Sequence, residues 1–86
     1  MYSNDYIHHT SPRPRGATED EFLDYADTAT QLLRRAKPKW YWPFGSGWLT
    51  TKDCLCPGWV LRELAEMGEV EFRKMSHDSP NEWRLI

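Results

Sequence analysis

The hydrophobic period of the chain switches from helical to strand-like within Pro57–Ile86, and a glycine marks the switch. Leu61, Leu64 and Met67 recur at a spacing that gathers side chains on one side of a helix. Gly68 follows, the residue type that closes a helix in a left-handed C-cap. Val70 and Phe72 then alternate with Glu71 and Arg73, and Trp83 and Leu85 alternate with Glu82, Arg84 and Ile86. The polar stretch Met75–Asn81 between these runs predicts a hairpin with a long tip. The pattern predicts a helix from Pro57 to Met67, with the proline in its first turn. It also predicts one shared interior built from Leu61, Leu64, Met67, Val70, Phe72, Trp83 and Leu85.

Upstream, Thr18 and Glu21 form a capping-box pattern. Phe22, Ala26, Ala29, Leu33 and Ala36 follow at helical spacing, with Tyr25 and Leu32 beside them. Acids fill the first turns and Arg34, Arg35 and Lys37 the last, which complements the helix dipole. Pro38 ends the element. Lys39–Gly47 carries Pro43, Gly45 and Gly47, so it reads as an aromatic loop, followed by a short strand at Trp48–Thr50. Thr50 or Thr51 can cap a short helix running to about Leu55. Residues 1–16 lack periodicity and end in alternating Pro and Arg, which predicts a flexible N-terminal arm before a domain spanning 17–86.

A chain of 86 residues is expected to form one domain with a small core. Five Trp and 40% hydrophobic residues supply that core without cross-links. No apolar run of about eighteen residues is present, so no membrane span is expected. The beginning is polar and has no apolar h-region, so no secretory signal is expected. Cys54 and Cys56 are too close for an easy disulfide, and C-x-C is not the usual zinc spacing. His8, His9 and His77 do not complete that pattern. A reducing, cytoplasmic setting with no metal or cofactor is the expectation. His77, Asp78 and Ser79 are neighbours on one loop and cannot converge as nucleophile, base and orienter. No phosphate loop or metalloprotease motif exists, so the chain is not expected to be an enzyme.

The order helix, strand, short helix, helix, β-hairpin resembles the winged helix-turn-helix family, a small α+β fold. The carrying residues are Leu61-Arg-Glu-Leu64-Ala-Glu-Met-Gly68-Glu-Val70, then Glu71-Phe-Arg-Lys, then Glu82-Trp-Arg-Leu-Ile86. The resemblance implies a duplex-DNA-binding protein, such as a phage or mobile-element transcriptional regulator, and such domains often form homodimers. It implies that the helix 57–67 approaches the major groove with Trp59 and Arg62. Arg62, Arg73, Lys74 and Arg84 would then hold phosphates. Arg34, Arg35, Lys37 and Lys39, next to Trp40, Tyr41 and Trp42, would add a second patch, because cations meet phosphate and rings stack on bases. Arg13 and Arg15 could enter a minor groove or belong to a disordered tail.

Charge supports a different reading. The net charge is -2, whereas a nucleic-acid binder usually carries a basic excess. Thr18–Leu33 holds Glu19, Asp20, Glu21, Asp24 and Asp27 and no base. On the helix 57–67 the expected outward residues are Trp59, Arg62, Glu63 and Glu66, and carboxylates near phosphate are repelled. An acidic, Trp-rich surface suits a protein-interaction module, such as a small phage-encoded inhibitor or adaptor that binds a host protein. The sequence leaves both readings open.

Overall fold

The computed structural model describes residues 10–36 and 47–86. The candidate site residues Lys37 and Lys39, the loop residues Trp40, Tyr41 and Trp42, and His8 and His9 lie outside the described residues.

The first helix, α1 (Glu19–Ala36), starts where the sequence places it. The Glu21 N–H donates to Thr18 Oγ1 at 3.1 Å, which satisfies one of the donors a helix start leaves open. Glu19, Asp20 and Glu21 occupy the first turn and Arg34 and Arg35 the last. Phe22, Ala26, Ala29 and Leu33 are buried along one side, as their spacing requires.

The strand β1 (Leu49–Thr50) follows. The expected short helix after it is not formed. The chain makes turns instead: the Cys54 N–H donates to the carbonyls of Thr50 and Thr51, and Thr50 Oγ1 accepts from the Asp53 N–H at 3.2 Å. Leu55 stands at a φ of 56°, a left-handed conformation that no helix of L-residues continues.

The second helix, α2 (Gly58–Glu66), begins after Pro57, which sits extended at the N-cap. It ends as Gly68 predicts. Gly68 has a φ of 79°. The Glu69 N–H bonds the Leu64 carbonyl at 3.0 Å and the Gly68 N–H bonds the Ala65 carbonyl at 3.0 Å. This pair of bonds is a Schellman closure, which satisfies carbonyls left open at the helix end. Val60, Leu61 and Leu64 are buried, but Met67 is 61% exposed. The expectation of Met67 in the interior is therefore corrected. Each three-residue step falls about 60° short of a full turn, so Met67 lies about 120° around from Leu61. The helix also closes there.

Strands β2 (Val70–Arg73) and β3 (Glu82–Leu85) pair antiparallel, and β1 adds to β3, giving the order β1-β3-β2. The register sets Leu49 and Phe72 on either side of Trp83. Trp83, on the central strand, is fully buried. Its indole N–H donates to Thr51 Oγ1 at 2.9 Å, and its ring tilts against Phe72 at 5.0 Å between centroids. Val70, Phe72 and Trp83 share one core cluster with α1 and α2, and Leu85 packs half-buried at its edge. Among the described residues, the result is a small α+β fold with two helices on one face of a three-stranded antiparallel sheet.

Candidate functional site

Strand alternation puts Glu71, Arg73, Glu82 and Arg84 on the sheet face turned away from the helices. Register makes partners of them: Arg73 stands opposite Glu82, and Arg84 opposite Glu71. Arg73 Nε donates to Glu82 Oε1 at 2.9 Å, and Arg84 pairs with Glu71. Both guanidiniums also lie over the Trp48 ring, at 4.4 Å for Arg73 and 4.5 Å for Arg84. Trp48 is buried there, although it stands outside the main core cluster. The Lys74 ammonium donates to the Ser79 carbonyl across the hairpin tip. Of the hairpin cations predicted to hold phosphate, Arg73 and Arg84 come together over Trp48 and pair with carboxylates, and Lys74 is held by a carbonyl of the hairpin tip.

A second site forms where the N-terminal segment crosses the helices. The Ala17 N–H bonds the Pro14 carbonyl at 3.2 Å, and Gly16, at a φ of 87°, permits the tight turn. This turn folds Thr10–Arg13 back over α2. The Thr10 carbonyl accepts from Arg62 Nη1 at 3.0 Å, and Arg62 Nε reaches Glu66 at 3.3 Å. A Cβ on Gly58 would stand 3.0 Å from Thr10 Cγ2, so the segment lies close on the helix start.

Arg13 makes the densest contacts. Its Nε donates to Glu63 Oε2 at 2.7 Å, and Nη2 donates to Glu63 Oε1 at 2.5 Å and to Glu19 at 3.3 Å. Its guanidinium carbon lies 5.4 Å from the Phe22 ring centre and 5.3 Å from that of Trp59. The hydrogen bonds to Glu63 raise its pKa above the ordinary arginine value, so the cation is permanent. These contacts correct two expectations. Residues 10–16 do not project as a free arm. Trp59 does not present its ring outward, because it is buried beneath Arg13 and beside Phe22.

The outward side of α1 is different. Asp20, Asp24, Asp27 and Gln31 lie opposite the buried Phe22–Leu33 side, and all four are exposed. Leu23 and Tyr25 flank them, 54% and 39% exposed. Arg34 and Arg35 are exposed at the far end of the helix. The chain matches no protein-family model, no curated protein and no solved structure.

The cysteines are not arranged for chemistry. Burial pushes the Cys54 thiol up to about 12 and the Cys56 thiol up to about 11, far from the thiolate that would act as nucleophile or ligand. Among the described residues, no three His, Cys, Asp or Glu side chains gather as a metal site, and no helix is long and apolar enough to cross a membrane. Sequence reasoning did not assign the roles of Arg13 and Trp48. Their partners are distant in the chain: Arg13 and Glu63 are 50 residues apart.

Proposed function

We propose that this domain is a protein-interaction module, built on a variant of the winged helix, that recognises a basic surface on another protein through the outward side of α1. The fold reading draws on the element order helix, strand, helix, hairpin, which agrees with the order the resemblance implies apart from the missing short helix. The observation that carries the functional reading is a contrast in charge. Asp20, Asp24 and Asp27 face solvent in one stripe, whereas Arg62, Arg73, Lys74 and Arg84 all bond to groups of the chain itself. Duplex DNA would have to draw those cations away from carboxylates already in place, and its phosphates would meet Glu63 and Glu66 beside Arg62 on α2. A basic protein surface meets the stripe with complementary charge, while Leu23 and Tyr25, which flank it, add apolar contact.

The test titrates the full chain with a lysine- and arginine-rich peptide and, separately, with a random-sequence DNA duplex in low salt. The expected result is saturable peptide binding that is lost in the triple variant Asp20→Asn, Asp24→Asn, Asp27→Asn, with no duplex binding. Duplex binding that weakens steeply with added salt would return the DNA reading to first place.

A further inference from the structure

We infer that the cleft between α1 and α2 is a guanidinium-binding site which the chain fills with its own Arg13, and that an arginine from a basic partner takes Arg13's place. A guanidinium is planar, presents paired donors and stacks on rings, so its receptor needs a bidentate carboxylate and aromatic faces. The cleft has both. Glu63 takes two hydrogen bonds from Arg13, at 2.7 and 2.5 Å, and Glu19 adds a third partner. Phe22 and Trp59 supply ring faces at 5.4 and 5.3 Å, within the range of cation–π attraction.

All four receptor residues belong to the two helices. The N-terminal segment supplies the ligand and none of these four partners. A cavity of about 350 Å³, lined by Pro12, Arg13, Arg62, Glu63, Glu66 and Met67, opens beside the guanidinium and gives an approach from solvent. The segment is also imperfectly seated. The Thr10 hydroxyl is buried without a hydrogen-bond partner, and release returns it to water. Glu63 left alone would be a half-buried carboxylate against two rings, which favours refilling the site over leaving it empty.

Arg13 is tethered close to its receptor, so it competes as a ligand at an effective concentration on the order of mM. A lone arginine displaces it poorly. An arginine carried on a basic partner that also meets the α1 stripe of Asp20, Asp24 and Asp27 gains from both contacts. In this respect the inference rests on the proposed recognition of a basic protein.

The experiment uses arginine amide and lysine amide as probes and follows the Trp59 indole N–H resonance of the full-length chain. In Arg13→Ala, arginine amide is expected to give a saturable shift, with affinity roughly tenfold or more above that of the unaltered chain, where Arg13 competes. Lysine amide is expected to bind more weakly, and adding Glu63→Gln to Arg13→Ala is expected to abolish the shift. Arg13→Lys, which keeps a cation but loses the fork, is titrated in parallel in case the alanine variant does not fold. It too must take arginine amide more tightly than the unaltered chain. Equal affinity for the two amides, indifference to Glu63→Gln, or no gain in either Arg13 variant overturns the proposal. The α1 triple asparagine variant separates the two ideas: with the proposed acidic face removed, the cleft still takes arginine amide in the Arg13→Ala background.

Discussion

The two faces of the sheet are built from the same two strands and held by different physics. On the inner face Val70, Phe72 and Trp83 pack with α1 and α2 in a buried apolar core. On the outer face one indole, Trp48, is roofed by Arg73 and Arg84, and each cation is tied to a carboxylate across the strands. The inner face depends on apolar area removed from water. The outer face depends on ring–cation attraction and partly buried ion pairs, which contribute less and respond to salt. The comparison shows that basic residues on a hairpin do not by themselves indicate a nucleic-acid ligand. Here they complete a small second cluster.

That difference can be broken by experiment. The largest effect is expected on the inner face: Trp83→Ala should cost about 3–5 kcal/mol of stability in urea denaturation, because it empties the centre of the core. Trp48→Ala should cost less, about 2 kcal/mol, since one face of the cluster is formed by charged guanidiniums that lie partly in water. Equal costs would mean that the outer cluster is a true second core.

Alkaline pH probes the inner side through Cys54. Its folded pKa is raised to about 12 from an ordinary value of 9.0, so the stability held by the neutral thiol is complete below pH 9.0 and falls as pH rises toward 12. One pH unit above the ordinary value corresponds to about 1.4 kcal/mol. The thermal midpoint should therefore drop over this range, and Cys54→Ala should flatten the drop. An unchanged slope in that variant would remove Cys54 from the account.

The smallest effect is expected at the outer ion pairs. Arg73→Ala should cost about 0.5–1 kcal/mol, with part of that cost disappearing near 1 M salt. A salt-independent loss would point to packing of the arginine stem on Trp48 rather than charge.

Much of this architecture was legible in the residues. Thr18 and Glu21 mark the start of α1, the spacing of Phe22, Ala26, Ala29 and Leu33 marks its buried side, and Gly68 marks the end of α2. The alternation of Val70, Phe72 and Trp83 identifies the inner face of the hairpin. Two local readings were overturned for local reasons: Leu55 takes a left-handed backbone where a short helix was expected, and Met67 falls where α2 closes. The candidate site was far less legible. Trp59 reads as an outward aromatic because helical spacing puts it on the side of Arg62, Glu63 and Glu66, and nothing within its own turn announces that Arg13 will cover it. Arg73 and Arg84 look alike as phosphate ligands and as lids on Trp48, since the sequence shows their charge and not their neighbours.

Capping, periodicity and strand alternation are settled by residues within a turn or two of each other, so the sequence alone determined the two helices, the hairpin and the identity of most core positions. Which cation meets which carboxylate or ring was decided only by the tertiary structure. The angle at which α1 meets α2 brings Phe22 to Trp59 and places both beneath Arg13, and the register of β1 on β3 brings Trp48 to Arg84. Charge–ring and ion-pair contacts act over a few ångströms and are indifferent to separation along the chain, so their partners exist only once the helices and sheet have packed.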